Sequence, residues 1–349
     1  MLPLAALALS LTLAPPHPSL TPLDLPMPPI SPLVTEAPPE LEAASWVLYS
    51  VDRDAELLAV NGDLQRAMAS VTKAMTAIVV VENTQPNEKV DISQRAAGTP
   101  IGYTGQPEIY QGENWTVEEL LANLMVQSAN DAAVALAEHV AGSVEAFVDL
   151  MNAKAAELGM RSTSFANPHG LDADQHFSSA RDLITMGRAA VEYDRILRVT
   201  SIKAITFQPT NRREMTITNT NRLLGVFPGV YGIKTGDTAR ASRVLLAYQE
   251  IGSRRMLSVV MGTTDHYGAT ARLLAYGMGT LGRGDHQIAA ALGTPLEPLL
   301  PDWMIPRLQA VAPLATGLDS VSPAGSTPGH GRVVAAFRDL LPPLLGGDA

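Results

Sequence analysis

Proline placement bounds the part of this 349-residue chain that can fold. Residues 15–39 hold ten prolines. Proline has no amide hydrogen and a locked φ, so neither a helix nor a central strand can run through such a stretch. Residues 15–42 therefore read as an extended, semi-rigid spacer. Residues 285–349 are rich in Pro, Gly and Ala, and their apolar run Val333–Leu345 contains two prolines. A tail of this kind docks on the body, docks on a membrane or stays poorly ordered. A large core is thus confined to residues 43–284. Ahead of the spacer, residues 2–14 match the apolar part of a secretory signal and are short for a bilayer span. No Lys or Arg precedes Arg53, so the basic leader of such a signal is absent. Export is the expectation, with membrane attachment through the N-terminus as one option.

The apolar fraction of 46% supplies a sizeable core. A net charge of −10 without clustered Lys or Arg argues against a nucleic-acid partner. The absence of cysteine excludes disulfides, thiolate zinc sites and a thiol nucleophile. Seven histidines show no His-Glu-x-x-His spacing, so no metal and no cofactor is implied. Gly277-Met-Gly-Thr-Leu-Gly282 follows a helical stretch rather than a strand, which fails the context of a dinucleotide loop.

Within the body, Trp46–Val51 and Glu56–Val60 alternate around Arg53-Asp54, a hairpin pattern. An apolar helix is expected from Ser70 to Val81. Thr116-x-x-Glu119 forms a capping box that opens a helix ending near Gln127. Asp131–Val140 and Val144–Leu158 read as helices, the second stopped by Gly159, and Ser179 starts another. Strands are expected at Ala204–Gln208, Glu214–Thr218, Val230–Thr235, Arg243–Gln249 and Arg255–Gly262, then a helix at Tyr267–Leu281. Strands at both ends with helices between them predict an α+β fold: an antiparallel β-sheet flanked by helices, plus a helical lobe.

Three clusters carry chemistry. In Ser70-Val-Thr-Lys73 the hydroxyl and the amine share a helix face. Serine needs a base, and lysine serves as one when burial or a nearby positive charge lowers its pKa. The competing reading is a helix cap followed by an ordinary lysine, but Lys73 sits in the apolar run Val71–Val80, where an unpaired ammonium is costly. Ser128-Ala-Asn130 lies between two helices. It either presents its side chains to a cleft or caps the next helix. Lys234-Thr235-Gly236 ends a predicted strand. It either grips a carboxylate or merely leads into a turn. Their order, with two of only five lysines inside them, favours a shared site. His169, in Pro-His-Gly, is read as a turn residue bonded to backbone, with a catalytic role as the alternative.

From about Ser45 to Gly282 the chain resembles the low-molecular-weight penicillin-binding proteins, specifically the serine D-Ala-D-Ala carboxypeptidases. The resemblance is carried by Ala67–Thr76, Ser128–Ala137, Asn167-Pro-His-Gly-Leu-Asp172, Asn219-Thr-Asn-Arg-Leu-Leu224 and Gly232-Ile-Lys-Thr-Gly236. It implies Ser70 as nucleophile and Lys73 as base, with Ser128 and Asn130 assisting. Lys234 and Thr235 would bind the terminal carboxylate. Gly236 would let substrate lie along the strand, and the amides of Ser70 and Asp237 would form an oxyanion hole. The implied partner is the peptidoglycan stem peptide, with β-lactams as covalent inhibitors and an extracytoplasmic location. Three positions depart from the pattern: Tyr231 where many relatives have Asp, Asp237 where an aromatic or His is common, and Ser242 in place of a frequent Gly. The family's usual all-β second domain is not expected in the 65-residue tail.

The rival readings are a class A-like β-lactamase, a D,D-endopeptidase and a silent penicillin-binding sensor. The first lacks its Glu-x-x-Leu-Asn string here. Asp131-Ala-Ala-Val modestly favours the carboxypeptidase over the second, and intact Ser70, Lys73 and Lys234 argue against the third.

Overall fold

A computed structural model describes residues 38–100, 109–207 and 214–279. The signal-like segment 1–14, most of the spacer and the tail 285–349 lie outside the described residues, as do Gln208 and residues 280–281 of the expected last helix. The chain opens with β1 (Ala43–Ser50) and β2 (Ala55–Val60), then a 3₁₀ turn, Ala69–Thr72, that runs into α1 (Lys73–Asn83). β3 (Lys89–Val90), α2 (Gln94–Ala97), β4 (Trp115–Thr116) and α3 (Val117–Ala122) follow. A π-helical turn, Asn123–Gln127, precedes α4 (Asn130–Ala141), α5 (Val144–Glu157), α6 (Ala180–Val191) and α7 (Asp194–Thr200). The last third holds β5 (Ala204–Phe207), β6 (Met215–Thr218), β7 (Val230–Thr238), β8 (Ser242–Ile251), β9 (Arg254–Thr263) and α8 (His266–Gly277).

The main sheet has the order β2-β1-β9-β8-β7 and is antiparallel throughout. Ala43 pairs with Thr263 and Ser50 with Met256, so the two ends of the body close one sheet, as the α+β pattern predicts. α6 and α8 cover opposite faces of it. Gly187 of α6 abuts Leu246 and Leu257, whereas Gly277 of α8 abuts Leu48 and Met256. Leu246 shares a face with Val259 and Leu257. Leu48, paired with Ser258, shares the other with Met256. Cover on both faces explains why β1, β8 and β9 each contain a run of six buried residues rather than an alternating pattern.

Two expectations change. The predicted strands after Ile202 do not all join this sheet, because β5 and β6 pair only with each other. The helix expected from Ser70 has its first α-helical residue at Lys73, and Ala69 enters the preceding turn at φ +49°. The capping box at Thr116 and Glu119 is present as predicted. The helix it opens, however, loosens into the π-helical turn and ends at Ser128, which is left-handed at φ +72°.

Candidate active site

α1 passes through the core with residues 73–80 all buried, and this places Lys73 at 0% exposure. Its amine is surrounded by three oxygens. Ser70 Oγ lies 2.9 Å from Nζ, Asn130 Oδ1 accepts from it at 2.7 Å and the His169 carbonyl at 2.6 Å. Asp131, buried next to Asn130 in the chain, favours the ammonium form. Burial works the other way and is the larger effect; with the positive charge of Lys234 it holds Lys73 well below the ordinary lysine pKa.

The second cluster occupies the start of α4. The N-cap residue is Ala129, with no side-chain cap bond, so neither Ser128 nor Asn130 serves the capping role considered above. Asn130 is 3% exposed, and its amide is held from both ends: Oδ1 accepts from Lys73 and Nδ2 donates to the Pro100 carbonyl at 2.8 Å. Ser128 is half-buried two residues away, and its hydroxyl bonds to neither Ser70 nor Lys73 among the described residues.

The third cluster lies inside β7 rather than at its end, because the strand runs on to Thr238. Burial pushes Lys234, 1% exposed, down to about 7, and its Nζ donates to the Thr235 carbonyl at 3.1 Å. The Thr235 and Thr220 hydroxyls are 2.6 Å apart. Asn219 and Asn221 hold that neighbour in place: Asn219 Nδ2 donates to the carbonyls of Thr200 and Ile202, and Asn221 Nδ2 to that of Gly232. Gly236 packs on the Ser70 turn, where a Cβ would lie 2.8 Å from Ala69 Cβ and 3.0 Å from Ser70 N. Asp237 is exposed, and its carboxylate faces Arg243 Nε at 3.5 Å, its cross-strand partner, so its charge is partly matched. Ser242 holds φ +54°, a left-handed backbone that explains why glycine suits this hairpin position.

The segment Asn167–Asp172 contributes more than its residue types suggest. His169 is bonded to backbone, as the turn reading predicts: its Nδ1 accepts from Leu171 N–H, and burial drives the ring pKa to about 3. It is the main-chain carbonyl of His169, invisible to residue-type reasoning, that reaches Lys73. Thr76 Oγ1 donates to the Pro168 carbonyl at 2.6 Å, and Asn167 Oδ1 accepts from Gly170 N–H at 2.6 Å. Gly170, at φ +92°, presses on the turn from this side, where a Cβ would lie 2.1 Å from Ala69 O. The Asn-Pro-His-Gly string is the only sequence signal for this segment. The turn is braced from within as well. Ala166 N–H donates to His176 Nδ1, which leaves the hydrogen on Nε2 to donate to Thr72 Oγ1. Thr72 Oγ1 then donates to Ala69 O.

A serine hydroxyl, a buried amine of depressed basicity and a second buried lysine beside a strand edge form a constellation suited to acyl transfer. Comparison with known proteins agrees. A family model described as D-alanyl-D-alanine carboxypeptidase matches residues 33–265. The D-alanyl-D-alanine carboxypeptidase DacF of Bacillus subtilis (strain 168) is 37% identical over 230 residues, 64% of this chain and 58% of that protein. DacC of Escherichia coli (strain K12), also named a D-alanyl-D-alanine carboxypeptidase, is 33% identical over 255 residues, 68% of this chain and 62% of that protein. The chain thus spans about three fifths of the length of these relatives. Among solved structures, the Streptomyces K15 DD-transpeptidase superposes with a TM-score of 0.65 at 26% identity, covering 70% of this chain and 99% of that one.

Proposed function

This chain belongs to the D-alanyl-D-alanine carboxypeptidase family, and on that premise we propose that it removes the terminal D-Ala from peptidoglycan stem peptides through an acyl-enzyme on Ser70. The observation that carries the proposal is the surroundings of Lys73 Nζ. A neutral amine has two hydrogens and one lone pair. Asn130 Oδ1 and the His169 carbonyl can only accept, so they take both hydrogens. The lone pair is left for the one neighbour able to donate, the Ser70 hydroxyl at 2.9 Å. Burial, the largest influence on Lys73, holds its pKa well below the ordinary lysine value and so favours that neutral amine.

In this mechanism Ser70 Oγ attacks the penultimate D-Ala carbonyl as its proton passes to Lys73. The amides of Ser70 and Asp237 receive the oxyanion, and glycine at 236 keeps the Ser70 amide unobstructed. Ser128 passes its proton to the leaving amine and regains one from the protonated Lys73, so D-Ala departs and Lys73 is neutral again. Water then attacks the ester and gives a proton to Lys73, and that proton returns to Ser70 Oγ as the acid leaves. Lys234 and Thr235 bind the terminal carboxylate, whose charge favours the ammonium form of Lys234. Asn130 orients Lys73, and its second amide hydrogen, which meets no acceptor among the described residues, is offered to substrate. β-Lactams acylate the same serine. A peptidoglycan substrate places the enzyme outside the cytoplasm, periplasmic or secreted.

A second reading shares every step up to the acyl-enzyme. The Streptomyces K15 relative is titled a DD-transpeptidase, so an amine could replace water as acceptor. The deciding experiment is mass spectrometry of the full chain with benzylpenicillin and with diacetyl-Lys-D-Ala-D-Ala, with and without added glycine. A lasting adduct on Ser70 with release of D-Ala supports the carboxypeptidase. Acyl-glycine as the main product supports the transpeptidase. Labelling that survives Ser70→Ala removes Ser70 from the nucleophile role.

A further inference from the structure

The Ser70 turn lies between two backbones. Gly170 approaches from the Asn167–Asp172 loop, where a Cβ would stand 2.9 Å from Ser70 Cα. Gly236 approaches from β7, where a Cβ would stand 3.0 Å from Ser70 N. Among the described residues β7 is an edge strand, with no further strand of the sheet on its outer side. Beyond the turn the two segments are joined by one carboxylate. Asp172 Oδ1 accepts from Thr238 Oγ1 at 2.7 Å, and Oδ2 accepts from the Arg240 amide at 3.1 Å. Thr238 Oγ1 itself accepts from the Ala241 amide at 3.2 Å, so the carboxylate is bonded into the turn of the β7–β8 hairpin. The ion pair between Arg240 and Asp174 runs alongside, but its groups are 60% and 93% exposed and it adds little.

We propose that Asp172 is a positioning residue for acylation, a strap that fastens the loop presenting the His169 carbonyl to the strand presenting Lys234 and Thr235, closed over the Ser70 turn. The proposal rests on the Ser70 acyl-enzyme reading. Asp172 lies two residues from Gly170 and three from His169, whose carbonyl is 2.6 Å from Lys73 Nζ. Loss of the strap lets the loop withdraw from the turn. Lys73 then loses one of the two acceptors that aim its lone pair, while the carboxylate grip on β7 keeps its own residues. The effect therefore falls on the acylation rate rather than on binding.

The test is stopped-flow acylation of the full chain by a chromogenic cephalosporin, with both the limiting rate and the half-saturating concentration measured. In Asp172→Ala the limiting rate is expected to fall about ten- to a hundredfold, with half-saturation changed less than about twofold. Thr238→Val is expected to slow acylation about tenfold, the worth of a hydrogen bond to a charged group. Thr238→Ser, which keeps the hydroxyl, is expected to restore it to within about twofold. The double variant Asp172→Ala/Thr238→Val should be no slower than Asp172→Ala alone, because both remove one link. A wild-type rate in Asp172→Ala would overturn the proposal. So would equal slowing in Thr238→Ser and Thr238→Val, losses that multiply in the double variant, or a loss confined to half-saturation. Should Asp172→Ala not fold, the two Thr238 variants decide the matter alone. An unsubstituted chain that takes no acyl group would overturn the acyl-enzyme reading itself.

Discussion

Replacing Gly170 with alanine tests how tightly the loop sits on the Ser70 turn. The added Cβ would stand 2.1 Å from Ala69 O and 2.5 Å from Ala69 C. A carbon–oxygen contact settles at roughly 3.3 Å, so one backbone must retreat by about 1.2 Å. The backbone at Gly170 has φ +92°, a conformation that costs an L-residue about 1–2 kcal/mol. Overpacking adds about 1–3 kcal/mol. A total near 3 kcal/mol corresponds to a Tm lower by roughly 6–12 °C for a body of this size. A shift of about 1 Å at a reacting group can cost on the order of a hundredfold in rate, so acylation by benzylpenicillin should slow by about that factor. Gly142→Ala supplies the control. Gly142 has φ +77°, but a Cβ there would meet no atom within 4 Å, so that variant should lose about 1 kcal/mol and acylate normally. Thermal unfolding and the rate of adduct formation measure both effects. A Gly170→Ala variant that acylates at the wild-type rate would refute the contact with the Ser70 turn.

Lys234→Ala should weaken capture of peptides with a free C-terminal carboxylate more than of their amides, and equal losses in kcat/KM would remove Lys234 from that role. Since burial sets Lys234 near 7, the advantage of carboxylate over amide substrates should shrink as pH rises above about 7; an advantage that is flat from pH 6 to 9 would contradict the assignment. His176→Phe strands the Ala166 amide, at a cost of about 1–3 kcal/mol, and removes the donor to Thr72 Oγ1, whose own hydrogen stays bonded to Ala69 O; the loss is readable as a lower urea midpoint. His176 is pushed by burial from 6.5 to about 4, so the unfolded state binds the extra proton between those values. Its stabilisation is complete above about pH 6.5 and is lost as pH falls toward 4. The His176→Phe variant should show a shallower acid decline over that window, and an unchanged decline would count against the buried neutral histidine.

Much of this molecule was legible in its residue order. Strands at both ends with helices between them forecast a shared antiparallel sheet, and the capping box at Thr116 opened a helix where side-chain chemistry required one. Ser70, Lys73, Asn130, Lys234 and Thr235 were all nominated by residue type and spacing, because side-chain chemistry is local and survives in sequence. The rest depended on packing. The strand signal at Glu214–Thr218 could not say whether that strand would join the main sheet, since register and neighbour choice are set by long-range contacts. The α-helix starts at Lys73 instead of Ser70, and Ala69 is held at φ +49°, because two other backbones press on that turn. The acceptors around the Lys73 amine include a main-chain carbonyl, an atom every residue carries. By itself the sequence determined which groups are present and the broad α+β layout. Only the tertiary structure decided which oxygens surround Lys73 and that its basicity falls, because burial and three-dimensional proximity control a pKa and neither is written in local spacing.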